Sequence, residues 1–244
     1  MISWSGIIKK AAVWEGRVQV AGDVVVAAGA RLEIRPGTEI SFAPRPIWSC
    51  AVFRGAKEGY PIESSQRELC DVVVLGTLDA RAKQGAPIVF AGQGEAWGGL
   101  LFMGRSEGRL HGAFLNGGEE AIVQTFDRSR VFLRQCRLSG ARWGVLARGL
   151  SEIEALGGMI ASSDTGVLTA EGAIARLNGT LIHGSHGGLA CEDWSLIRAM
   201  GLRLQGLSDY SMIAKHHAWG VLSGIDFAGE TPRFIRLDEA RIDA

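Results

Sequence analysis

The chain has 244 residues, of which 47% are apolar and 21% charged; that is enough to build a sizeable core and too little charge for disorder. Lys plus Arg and Asp plus Glu number 26 each, so no net field draws in nucleic acid or an anionic membrane surface. No apolar run approaches the ~20 residues of a membrane helix, and the opening "MISWSGIIKKAAVWEG" lacks a signal-peptide core. The expected location is cytoplasmic, or extracellular or periplasmic if a leader has been removed.

In chain order, residues 18–42, "VQVAGDVVVAAGARLEIRPGTEISF", alternate apolar and polar positions around Gly, which reads as short strands and tight turns. Residues 43–71 break this pattern, and Pro44, Pro46 and Pro61 exclude a central strand there. The segment is expected to leave the body as an excursion loop, a lid or a partner-binding element, with Trp48, Arg54 and Tyr60 as its candidate binding side chains. Cys50 and Cys70 bracket it and would pair as a disulfide in an oxidising compartment. The four cysteines show no C-x-x-C spacing, so no structural zinc site is expected.

Beyond residue 86 the sequence repeats. Leu100, Ile122, Val145, Val167, Leu189 and Met212 recur at steps of 22 or 23 residues, as do Leu115, Leu138, Ile160, Ile182, Leu204 and Phe227. A looser column runs Val131, Ile153, Ile174, Leu196, Val221. Each period holds three short alternating stretches, and a small or turn-forming residue follows the second column: Gly117, Gly140, Ser162, Gly184, Gly206, Gly229. Two helices do not fit in such a period, whereas three strands and three turns do. Stacked triangles of this kind make a solenoid with parallel rungs ~4.8 Å apart. The last stretch, 230–244, leaves the repeat and is expected to form a tail or cap, with Phe234 among the residues offered to the open core or to another chain.

The reading is therefore one all-β domain over 1–244, a single-stranded right-handed parallel β-helix of about eight coils, each with three short strands. These repeats resemble the pectin-lyase-like superfamily. Residues 18–42 look like its opening coils, and "APIVFAGQGEAWGGLLF" like a coil junction. That resemblance implies the fold and leaves the activity open, because the fold carries lyases, hydrolases, adhesins and scaffolds.

Two turns hold the chemistry. In "LIHGSHGGLA" (181–190), His186 takes the same place in its coil as Glu119, Arg142, Asp164 and Asp209 in theirs, a row of mixed sign on a solvated turn. "SHG" partly resembles the G-H-G motif of polygalacturonases, but a Ser replaces the first Gly and no Asp-Asp pair or N-x-D accompanies it. In the other turn, Glu171, Asp193 and His216 fall on successive coils with Glu192 and Lys215 beside them. Two carboxylates about 5 Å apart fit a retaining glycosidase pair. The same oxygens fit Ca²⁺, with Lys215 as base, as the resemblance to the lyases implies. Alternatively Glu192–Lys215 and Asp193–His216 are cross-coil ion pairs.

The expectation is a non-catalytic binding or structural module that presents a flat sheet face to a protein or polysaccharide, alone or within a homo- or hetero-assembly. The alternative is a polysaccharide lyase or glycoside hydrolase acting through Glu171, Asp193, Lys215 and His216. Asp164, His186 and Asp209 are the candidate binding residues of the repeats. No metal or cofactor is required by the first reading; Ca²⁺ belongs to the second.

Overall fold

A computed structural model describes residues 2–43, 69–92 and 96–244. Trp48, Arg54, Tyr60 and Cys50 lie outside these residues. The described chain contains no helix; its strands coil into a parallel β-solenoid of about ten turns rather than eight.

Each turn contributes one rung to each of three walls. Wall one includes Glu39–Phe42, Ile88–Gly92, Ala113–Asn116, Leu181–His183 and Arg203–Gln205. Wall two includes Asp71–Val74, Gly99–Phe102, Ala121–Thr125, Gly187–Cys191, Tyr210–Ala214 and Phe234–Arg236. Wall three is a ten-stranded stack from Ala11–Trp14 to Arg241–Asp243. Three long strands, Arg17–Val26, Arg137–Ala147 and Met159–Thr169, run unbroken from wall one around the corner into wall two. Every rung pairs in parallel with the one a coil away, so the backbone groups of each inner rung are satisfied on both sides.

The inward columns make one continuous core. Val145 lies on Val167, Val167 on Leu189 and Leu189 on Met212, all essentially buried. The register places Val123, not Ile122, between Leu100 and Val145. The second column holds from Leu115 through Leu138, Ile160 and Ile182 to Leu204. The third is shifted by one residue: Val131 and Ile153 stack on Ala175, Ile197 and Gly220, while Ile174 and Leu196 face outward. A triangular interior is too narrow for a large side chain at every inward position. Wall three therefore alternates large and small, as in Ile153 with Ala155 and Ala175 with Leu177. Gly220 goes further: a Cβ there would lie 2.1 Å from the Met212 Cε, so its absence is what admits the methionine.

The described chain leaves wall one at Phe42 and resumes in wall two at Asp71, with register kept on both sides through Val18–Ile40 and Val24–Val72. At the other end, Phe234–Arg236 and Arg241–Asp243 pair with Tyr210–Ala214 and Trp219–Ser223, so residues 234–243 add a further coil.

Candidate functional site

The corner between walls two and three is built from a tight turn repeated coil after coil. Ser195 N donates to Glu192 O (3.2 Å) and Ala218 N to Lys215 O (3.1 Å), closing four-residue turns. Their two central residues are both left-handed: φ is 50° at Asp193, 64° at Trp194, 51° at His216 and 64° at His217. These are turns of the primed type. Asp and His tolerate that conformation; Trp bears more strain in it.

The stacking brings the predicted corner residues together. Glu171, Asp193 and His216 occupy successive coils, as the register Thr169–Cys191–Ala214 requires. His216 Nδ1 lies 3.0 Å from Asp193 Oδ1, and Nε2 lies 3.2 Å from Asp238 Oδ2 in the coil beyond. Lys215 Nζ donates to Glu192 Oε1 at 2.9 Å, and Glu171 takes Arg148 Nε at 3.3 Å. The His217 ring stacks on Trp194 with centroids 4.3 Å apart. Each carboxylate of the suggested catalytic pair thus already has a nitrogen partner, Arg148 Nε for Glu171 and His216 Nδ1 for Asp193, and both side chains are about half exposed: 45% for Glu171 and 50% for Asp193. Pairs in such a setting contribute about 0–1 kcal/mol each. Among the described residues, no group of three or more His, Cys, Asp or Glu is arranged to hold a metal ion.

The corner that carries His186 also has a structural account. His186 is in register with Asp164 and Asp209, and Arg142 pairs with Asp164 at 3.1 Å. The coil before contributes Glu120, 3.9 Å from Arg142, where the spacing had suggested Glu119. Ser185 is buried and shares a hydroxyl hydrogen bond with Ser162 (3.0 Å). Gly187 is dictated by Tyr210, whose ring would meet a Cβ at 2.0 Å as it crosses to Thr165 Oγ1, 2.7 Å from the phenol oxygen. Burial is the main cause that raises the Tyr210 pKa. "SHGG" is thus a packing solution, with only His186 left at the surface.

The outward side of wall two forms the site that sequence spacing missed. Its central row reads Val25, Val73, Leu101, Gln124, Leu146, Leu168, Ala190, Ile213, Ile235, one per coil. Val25, Val73 and Leu101 are buried as a cluster separate from the main core. Over Gln124, Leu146 and Leu168 lies a half-enclosed cavity of about 310 Å³. Trp143 and Phe126 add aromatic walls, while Arg142, Arg148, Glu120 and Glu192 stand at its rim. The Arg142 guanidinium rests 4.5 Å from the Trp143 ring centre. Gln124 is 3% exposed; its Nε2 donates to Gly98 O (3.2 Å) and Ala121 O (3.3 Å), and its Oε1 is buried without a partner. A buried acceptor left unpaired costs about 1–3 kcal/mol until a donor reaches it. The signal in the sequence is the loss of alternation: "AIVQT" and "GGLAC" are buried at every position, as strands covered on both sides are.

The free thiols Cys136 and Cys191 face inward and serve packing. Burial pushes them up to about 11 and about 12, away from nucleophilic chemistry. No family model, curated protein or solved structure matches the chain.

Proposed function

We propose that this chain is a non-catalytic β-helix binding module that takes a polysaccharide on the outward face of wall two. The observation that carries the reading is the half-enclosed cavity over Gln124, Leu146 and Leu168, with Trp143 as its aromatic wall. The ring of Trp143 and the side chains of Leu146 and Leu168 suit the C–H face of a pyranose, and a rim with both signs of charge suits neutral or uronate units.

Calorimetric titration with neutral and uronate oligosaccharides tests it. Saturable binding is expected, weakened at least tenfold by Trp143→Ala, with the oligosaccharides recovered intact. Chain cleavage that disappears in Glu171→Ala or Asp193→Ala would replace this reading with the lyase or hydrolase one. No binding to any saccharide would end it.

A further inference from the structure

We propose that the solenoid stacks head to tail with a second copy of itself, the last coil of one molecule receiving the first coil of the next. The rungs at the two ends are paired on one side only among the described residues. Ile2–Ile8 pairs with Arg17–Val26 and Ala11–Trp14 with Arg31–Ile34, while Phe234–Arg236 and Arg241–Asp243 pair only with the coil before them. Each end therefore presents a row of backbone N–H and C=O groups along walls two and three. Because every rung runs in the same direction, the first coil of a second copy meets the last coil in the orientation the stack already uses.

The side chains at the two ends match under that continuation. One more step of the register sets the outward Ile7 on Ile235 and the inward Ala12 on Ile242. These ends also hold much of the exposed apolar surface: Ile2, Ile7 and Val13 at the first coil, Phe234, Ile235 and Leu237 at the last. The same step brings the acidic turn Asp238–Glu239, with side chains 65% and 82% exposed, against the exposed basic turn Lys9–Lys10. The row that runs Asp193, His216, Asp238 thereby gains a cation where the coil ends. Joining two different surfaces in this way propagates without closing, so the product is a row of copies and not a sealed dimer.

Sedimentation equilibrium of the full chain, from micromolar to near-millimolar concentration, tests this. Mass that rises with concentration beyond the dimer is expected. Lys9→Glu/Lys10→Glu and Asp238→Lys/Glu239→Lys, each folded by circular dichroism, are expected to associate at least tenfold more weakly. An equimolar mixture of the two variants is expected to regain the association, since each restores opposite charge at every junction. A wild type that stays monomeric, assembly that stops at a dimer, variants that associate like wild type, or a mixture that stays monomeric would each overturn the proposal.

Discussion

Walls two and three are built from rungs of the same length at the same spacing, yet they meet solvent in opposite ways. On wall three, strands such as Arg130–Arg134 alternate strictly, and the outward row is charged and cross-linked between coils. Arg31 and Arg81 reach Asp79 at 2.8 and 2.7 Å, and Arg176 reaches Glu152 at 3.2 Å. On wall two the outward row is apolar, and the alternation that would mark it as solvated is missing. Parallel sheets are ordinarily covered on both faces. Wall three escapes that rule by laying ion pairs along its outside, and wall two keeps to it, which suits wall two to covering by a ligand.

The difference can be broken at several points, beginning with what both walls share. Cys136 and Cys191 sit in the common interior, their pKa values raised from 9.0 to about 11 and about 12 by burial. At neutral pH their thiolate fraction is reduced roughly 100-fold or more, so iodoacetamide is expected to label them only after denaturation, as mass spectrometry would show. The same shifts fix a sign. The raised values add stability that is complete below pH 9.0 and is lost as pH climbs through about 11 and 12, because the unfolded thiols ionise first. Urea midpoints falling above pH 9 would show it; rapid labelling of the native protein would contradict the packing.

The two outward faces can then be compared with like substitutions. Leu101→Ala on wall two removes a side chain 3% exposed and is expected to cost about 2–5 kcal/mol in urea unfolding. Phe132→Ala on wall three, 41% exposed, is expected to cost under about 1 kcal/mol. Equal losses would mean that the two walls meet solvent alike. Asp79 is the exception on wall three, a carboxylate 8% exposed between two arginines; Asp79→Asn is expected to cost about 1.5–3 kcal/mol. The smallest effect belongs to Arg176→Met, which loses a half-exposed pair with Glu152 and is expected to stay within about 0.5 kcal/mol of wild type at any salt concentration.

The coil period was legible because two columns of large inward residues obey it, and a parallel stack turns a fixed sequence step directly into a contact. The third column holds for Val131 and Ile153 and then departs from residue size, since the inward places pass to Ala175, Ile197 and Gly220. Ile174 and Leu196 are larger than Ala175 but lie outside, where neighbouring rungs half cover them. The pairing of Asp193 with His216 was readable from the same arithmetic, and the structure extends it to Asp238. The cavity over Gln124 was not readable in that way. It is assembled from outward residues of several coils, none unusual alone, and its cue is two adjacent apolar positions where alternation allows one.

Phe42 and Asp71, with 28 residues between them in sequence, end and begin rungs that elsewhere, as at Leu181–His183 and Gly187–Cys191, are separated by three, and both rungs still pair in step with their neighbours. Length is thus rigidly policed within a rung, where one extra residue turns every following side chain inside out, and free at this bend. The molecule is a ruler whose graduations, set by Val18–Ile40 before that bend and Val24–Val72 after it, stay in step.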